Sequence, residues 1–518
     1  MNIRLILRLL GWIAMLVAAA MCFSLPWAFP AFGQTETFEI RGFLGMLGAI
    51  CISAIVGVGM IYLGRGSNKT RLLRKEAIAV VGLSWILASL LGALPFWFSE
   101  TIRELDDHGR PVHMNFFDGL FESASGFSGT GASVLTELDD PDFVPRTVLF
   151  WRSETHFLGG LGIMVLFVAV LGMGSAGKAL MLTEVPGPTQ ESTHERTQRA
   201  AWTFAMIFVG LNAVLTVLLV LEGMSVYDAL CHAFGTIATG GFSTHNKSVG
   251  HFDSPVIDAT IVIFMFLGCT NFALLYHVLL GQPGKLWRDV EFRVYLAITV
   301  VGSAIVVVAG LLYADFDSPL AGLRYGIFQA VSMLTNTGFG THDFDTWNPL
   351  GRGTLLLLMY IGGCAGSTSC AVKVIRYIFL FKILALEIER SFRPNVVRHI
   401  RIGGRPVEDP DLRKDVVVYF CLILVFSVVA WFGLLVCEPN SSWTNAGLDP
   451  ANKLIDCAGA VAATINGVGP GLGLVGPTSN YSMLSGASKL ILTGLMLLGR
   501  LEIFALVALF LPRFWRNQ

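Results

Sequence analysis

Ser128-Gly129-Thr130-Gly131, Ala238-Thr239-Gly240-Gly241, Asn336-Thr337-Gly338-Phe339 and Asn466-Gly467-Val468-Gly469 are four short glycine-bearing loops spread along a very apolar chain. Before each lies an amphiphilic stretch too short to cross a bilayer: Phe116–Phe127, Val226–Ile237, Leu323–Leu334 and Lys453–Ile465. A long apolar run follows each loop. One such loop alone reads as a turn or a helix-packing point. Four in the same context read as an ion pore made from one chain, where carbonyl rings replace the water shell of a dehydrated cation. Glycine adopts backbone geometry that other residues resist, so successive carbonyls can face one axis. Thr130, Thr239 and Thr337 carry hydroxyls able to brace their loops, and no acidic ring occupies these positions, which argues against a divalent-cation filter.

The composition places that pore in a membrane. The chain has 518 residues, 54% hydrophobic and 14% charged, with mean hydropathy +0.65. A soluble protein carries about 25% charged residues. A net charge of -1 gives no bulk basic signal for nucleic acid. A crossing helix needs about 20 apolar residues. Ten candidate spans follow, at roughly 5–31, 43–63, 77–98, 148–172, 201–221, 257–280, 294–313, 353–386, 416–436 and 486–511. The first begins after Arg4 and Arg8 and runs past Trp27, longer than a signal-peptide core and without a clear cleavage site, so it reads as an uncleaved helix.

Lysine and arginine set the orientation. Arg65, Lys69, Arg71, Arg74 and Lys75 fill the loop 64–76; Lys285, Arg288 and Arg293 fill 282–293. The loop 387–414 holds Arg390, Arg393, Arg398, Arg401, Arg405, Arg413 and Lys414, and the tail holds Arg513 and Arg516. With ten spans, all of these share a side with both termini, which are therefore cytoplasmic, and the four glycine loops open on the opposite face. Each short helix then dips in from outside and aims its negative dipole end at the pore centre, favouring a cation there. The architecture expected is an all-α integral membrane protein with four pseudo-repeats of helix, pore helix, filter loop and helix around one pore. A leading helix pair at 1–76 precedes repeats at 77–200, 201–292, 293–414 and 415–518.

Other residues carry further expectations. The eighth span is interrupted by Gly362-Gly363-Cys364-Ala365-Gly366-Ser367-Thr368-Ser369. Small residues pack helices closely, but eight in a row at mid-span read as an unwound intramembrane loop, with Lys373 and Arg376 following. Arg500 lies inside the last span, where a charge costs about 2.5–3.5 kcal/mol on insertion scales. It reads either as an ion pair, with Glu502 or a neighbouring helix, or as an electrostatic barrier beneath the filter. Arg152, Glu154 and His156 read as an ion pair anchoring the fourth span, with proton sensing by His156 as the sharper alternative. The nine cysteines show no CxxC and no metal-ligand spacing; Cys437 and Cys457 flank one outer loop, and their pairing is left open. No GxGxxG follows a strand and no GxxxxGK[ST] is present, so energy or regulation comes from the ion gradient or a separate subunit. HExxH is absent and no GxSxG is completed, which argues against an intramembrane enzyme. The basic loop 387–414 suits a docking face or lipid headgroups.

Taken together, the loops and several flanking strings resemble the Trk/Ktr/HKT superfamily of potassium transporters, and most of all the bacterial Trk-type membrane subunit. The strings are Ser125-Gly126-Phe127, TGGFSTHN from Thr239, TNTGFGTHDF from Thr335 and NGVGPGLG from Asn466. FWRS from Phe150, GGLGIMVL from Gly159, VPGPT from Val185, YIGGCAGSTS from Tyr360, VKVIR from Val372 and GRLEIF from Gly499 extend the likeness over nearly the whole chain. The resemblance implies a potassium filter formed by Ser128, Gly129, Thr130, Gly131, Ala238, Thr239, Gly240, Thr335, Asn336, Thr337, Gly338, Asn466, Gly467, Val468 and Gly469. Its repeated filter glycine carries over to Gly131, Gly240, Gly338 and Gly469, a set similar to potassium-preferring members. It also implies that 362–369 is the gate, acting with Arg500. Gly129 stands where threonine is usual, His156 where glutamine is common, and Ser369, Cys370 and Ala371 replace a glycine-richer run. The function so implied is potassium uptake across a bacterial inner membrane, with K+ as the transported ion and no organic cofactor in this chain. The implied partners are a cytosolic nucleotide-binding regulatory subunit and a second copy of the chain. Proton- or sodium-coupled symport, or weaker selection against sodium, is the alternative.

Overall fold

The computed structural model describes every residue except 67–73, 107, 163–193, 395–400, 403–404, 407–411, 446, 448, 502 and 516–518. Lys69, Arg71, Arg398, Glu502, Arg516 and the string from Val185 lie outside the described residues.

Six described helices are long and apolar enough to cross a membrane: Ile3–Ala28, Ile40–Leu63, Lys75–Phe98, Trp202–Leu221, Val290–Leu312 and Arg413–Cys437. In the last of these only 11% of the apolar window is buried within the protein, and Leu424 and Val436 are exposed. Apolar surface on that scale requires lipid around it. The first two helices cross at glycines, where a Cβ on Gly11 would press on the Gly57 carbonyl. The chain is a multi-pass, mostly helical membrane protein; its strands among the described residues are two small hairpins, Ile102–Leu105 with Pro111–His113 and Arg401–Ile402 with Arg405–Pro406.

Four of the ten predicted spans are interrupted; the break in the eighth falls where the sequence predicts it, and the other three correct the sequence reading. The first, Arg146–Leu161, stops at Gly162 with φ 67°, and the rest of that run lies outside the described residues. The second breaks between Pro255–Gly268 and Phe272–Leu279, which meet at 108°; counted as one, this pair makes a seventh span. The Asn271 side chain caps the new helix by accepting from the Ala273 amide, which stabilises a restart there. The third divides into Pro349–Met359 and Val374–Phe392, separated by a loop. The fourth divides into Gly486–Arg500 and Phe504–Phe510, with Ile503 at φ 64°. Hydropathy alone joins these pieces because each break is short or rich in small residues, so the window average across it stays high.

The four short helices form where the sequence predicts them. They span Phe116–Ser128, Val226–Ile237, Ile327–Leu334 and Lys453–Ile465. The third continues a π-helical turn at Gly322–Gly326. Asn115 and Asp118 form a capping box on the first, and the Ser225 side chain accepts from the Asp228 amide on the second. Cys437 and Cys457 are both free thiols.

Candidate functional site

All four short helices end in one backbone motif. With the third loop taken from Thr335, one residue earlier than the sequence pattern set it, the second residue of each loop is left-handed: Gly129 at φ 68°, Thr239 at 55°, Asn336 at 58° and Gly467 at 64°. So is the fourth: Gly131 at 80°, Gly241 at 76°, Gly338 at 82° and Gly469 at 89°. The third residue's amide reaches five residues back in every case: Thr130 to Ser125 (2.9 Å), Gly240 to Gly235 (2.8 Å), Thr337 to Ser332 (3.0 Å) and Val468 to Ala463 (2.8 Å). This is a Schellman-type helix end repeated four times. In this register the counterpart of Gly131, Gly338 and Gly469 is Gly241, which corrects the sequence alignment on Gly240 by one position.

The fourth-position glycines close the loops into a ring. A Cβ on Gly131 would collide with the Gly240 carbonyl oxygen, one on Gly241 with that of Thr337, and one on Gly338 with that of Val468. A Cβ on Gly469 would collide with the Thr130 carbonyl, which completes the circuit. Each glycine is thus required twice, by its positive φ and by the neighbouring carbonyl.

The carbonyls at the second and third positions are those of Gly129, Thr130, Thr239, Gly240, Asn336, Thr337, Gly467 and Val468. Every one of these residues is buried, and none of the eight carbonyls accepts a hydrogen bond among the described residues. Buried carbonyls are nearly always paired. Eight unpaired ones in one closed ring are an oxygen-lined site with unmet demand for positive charge.

Side chains brace the ring from outside. Ser128 and Thr130 share a hydroxyl hydrogen bond of 2.7 Å, Thr335 and Thr337 one of 2.8 Å, and Thr239 Oγ1 donates to the Ala238 carbonyl at 2.7 Å. Tyr481 donates its hydroxyl to the Gly469 carbonyl at 2.7 Å. Asn336 Nδ2 donates to the Met359 carbonyl at 3.1 Å, Asn466 Nδ2 to Ala462 at 2.9 Å, and Asn336 Oδ1 has no hydrogen-bond partner. Tyr481 was not singled out by sequence, since a lone tyrosine beyond the loop carries no local signal.

The anticipated pairing of Arg152 with Glu154 is replaced by another. Arg152 Nε donates to Glu122 Oε1 at 2.6 Å, its Nη1 donates to the Ser243 carbonyl at 2.9 Å, and its guanidinium lies 3.5 Å over Phe242. Glu122 in turn accepts from Ser133 and the Val134 amide. Glu154 instead accepts from Ser24 at 3.0 Å. His156 bridges two loops, with Nδ1 2.8 Å from the Gly126 carbonyl and Nε2 accepting the Phe242 amide at 3.1 Å. Those partners fix a neutral tautomer with the proton on Nδ1, which gives His156 a bracing role.

Beneath the ring lies residues 360–373, the break in the third span. Gly362 N donates to the Val372 carbonyl and Val374 N to Gly363, folding the segment into a closed loop. It includes the predicted Gly362, Gly363, Cys364, Ala365, Gly366, Ser367, Thr368 and Ser369 and runs on through Cys370 and Lys373. Its contacts go straight to the ring and to the other breaks. Cys370 Sγ donates to the Ser128 carbonyl at 3.2 Å and packs on Gly467. Thr368 Oγ1 donates to the carbonyls of Ile237 (2.8 Å) and Gly268 (2.9 Å). Glu291 Oε1 accepts both the Ala365 amide (2.8 Å) and the Ile375 amide (3.0 Å), pinning the two ends. Lys373 Nζ binds back onto Ser369.

Arg500 is tied to this loop. Its Nη1 donates to the Thr368 carbonyl at 2.8 Å and Cys370 Sγ at 3.3 Å, and its Nη2 donates to the Gly159 carbonyl at 2.6 Å. Nη1 also sits just below Gly129. Arg500 and Lys373 face a cavity of about 150 Å³ lined with Ser367, Thr368 and Trp85. The sequence predicted Arg500 near the filter; that it holds the loop itself is decided by the fold.

Comparison with known proteins adds four findings. The profile of the TrkH family, described as cation transport protein, matches residues 47–516. The Trk system potassium uptake protein TrkH of Salmonella typhimurium is 37% identical over 454 residues, covering 87% of this chain and 88% of that protein. Its counterpart in Halomonas elongata is 32% identical over 533 residues and covers both chains in full. The crystal structure of the potassium transporter TrkH from Vibrio parahaemolyticus superposes with a TM-score of 0.82 at 30% identity over the whole of both chains.

Proposed function

We infer the function from one premise: the chain belongs to the TrkH family of cation transport proteins, and is a transporter rather than an enzyme. The reading is potassium uptake through a pore whose selectivity filter is the four-loop ring. The observation that carries it is the set of eight buried carbonyls without hydrogen-bond partners. Potassium sheds water at these oxygens, which stand in for its hydration shell. Beneath them the loop 360–373 is the gate, and it blocks the path while Arg500 and Lys373 hold it under the ring. Two fixed cations at that depth also discourage a potassium ion from lingering there.

The remaining features follow the same proposal. The repeats run 77–200, 201–292, 293–414 and 415–518 behind a leading pair at 1–76. The protein sits in a bacterial inner membrane with both termini cytoplasmic, and the basic loop 387–414 meets a cytosolic nucleotide-binding regulatory subunit or lipid headgroups. The pore subunit pairs with a second copy. The inward-negative potential supplies about 2.3 kcal/mol per charge per 100 mV.

Flux into liposomes holding the purified protein, measured for potassium, rubidium, sodium and lithium, tests the reading. Preference for potassium and rubidium that weakens in Gly338→Ser supports it. Equal passage of all four ions overturns the filter. Flux that appears only with a proton gradient favours coupled symport.

A further inference from the structure

A second cluster of ligating groups lies away from the ring, on the segments that leave the first and second loops. Asp139, His245 and His251 each offer one ligand atom, and these atoms lie within 4.8 Å of one another. The two imidazoles are parallel, with centroids 3.6 Å apart. The Phe252 ring stands edge-on to both, at 5.4 Å and 5.3 Å. Asp139 Oδ1 contacts His245 Nδ1, and Asp228 Oδ1 stands 3.6 Å from His245 Nε2. The His251 imidazole makes no hydrogen bond or ion pair among the described residues, and both His251 and Asp139 are exposed.

We propose that Asp139, His245 and His251 bind one late first-row divalent metal ion, of the Zn2+ class, on the rim between the first and second loops. Two imidazole nitrogens and a carboxylate suit such ions and are poor ligands for a hard monovalent cation. Tetrahedral coordination at about 2.0–2.2 Å puts ligand atoms roughly 3.3 Å apart. Rotation of the exposed His251 out of the parallel stack turns its lone pair toward that of His245, and rotation of the exposed Asp139 closes the remaining gap. Three protein ligands leave the fourth position to water.

The site would act as a clip. Segment 137–139 is already joined to the segment that follows the second loop, since Leu138 N donates to Asn246 Oδ1 at 2.9 Å and Asn246 Nδ2 donates to Glu137. That segment in turn holds the third loop, as the Gly250 amide donates to the Gly340 carbonyl at 3.1 Å. A bound ion ties three of the four filter rims together. This inference rests on the cluster alone and does not depend on which monovalent ion passes the ring.

The test uses untagged, chelator-stripped protein in detergent, titrated with Co2+ as a spectroscopic stand-in for Zn2+. Expected is one Co2+ per chain with the intense visible bands of a tetrahedral site, displaced by Zn2+. His251→Ala and Asp139→Asn should each weaken binding at least tenfold while metal-free rubidium flux into liposomes stays unchanged. Absence of tetrahedral bands, or binding that neither substitution weakens, overturns the proposal.

Discussion

Above, four loops repeat one backbone conformation; below, the four helices that follow them are interrupted in four different ways. In the ring, left-handed residues recur at the second and fourth positions of every loop, and each fourth-position glycine rests on the next loop's carbonyl. Underneath, one helix stops at Gly162, one bends by 108°, one opens into the loop 360–373 and one breaks beside Arg500. On the function proposed above, selecting an ion asks for like oxygens around one axis, which a nearly symmetric ring supplies, and blocking a path asks for one distinct element, which the asymmetric floor supplies. The two layers meet at contacts that include Cys370 on Ser128, Thr368 on Ile237, Asn336 on Met359 and Cys269 on Thr335, while Arg500 ties the loop to Gly159 within the floor.

The largest effect is expected from breaking the symmetric layer. Gly241→Ala places a Cβ at φ 76° against the Thr337 carbonyl. The left-handed conformation alone costs about 1–2 kcal/mol for such a residue, and the clash adds to it. Preference for rubidium over sodium in liposome flux should fall about tenfold or more; an unchanged preference would separate the ring from selection.

Next are the ties that hold the lower layer together. Arg500→Ala removes three hydrogen bonds from a charged donor, each worth about 1.5–3 kcal/mol. Rubidium flux should rise about tenfold, and a well-folded variant with wild-type flux would sink the role of Arg500 as a latch. Glu291→Ala frees the Ala365 and Ile375 amides at the loop's two ends. Hydrogen exchange at those amides should accelerate and flux should rise about fivefold, from a loss of about 1 kcal/mol. If exchange is unaltered, the loop is held by other contacts. The smallest effect belongs to Thr368→Val, which keeps the shape and deletes one shared donor. About 0.5–1 kcal/mol is at stake, so flux should rise about threefold; a fall in flux would show that Thr368 supports an open path instead.

Much of this was legible in the chain. Pore-helix limits matched within a residue or so in three cases because apolar stretches ended at glycine, where an α-helix terminates readily. The ring glycines showed as a pattern because φ above zero is costly for other residues. The register of the second loop did not show: Gly240 and Gly241 are adjacent, and only the hydrogen bond to Gly235 tells which is third and which is fourth. Three of the four helix breaks were also hidden, since Cys269-Thr270-Asn271 and Gly499-Arg500 leave hydropathy high. Arg152 was placed with the wrong carboxylate because Glu154 is near in sequence while Glu122 is near in space.

By itself, then, the sequence determined what local chemistry determines: apolar length, charge asymmetry between loops, and glycine where the backbone turns left-handed. The tertiary structure alone decided which carbonyls lack partners, which glycine meets which oxygen, and which distant residues hold the loop under the ring. Those facts depend on contacts between segments more than a hundred residues apart, such as Cys370 with Ser128 and Arg500 with Gly159. Spacing along the chain carries no information about such pairs, because burial in a shared interior, rather than sequence proximity, brings them together.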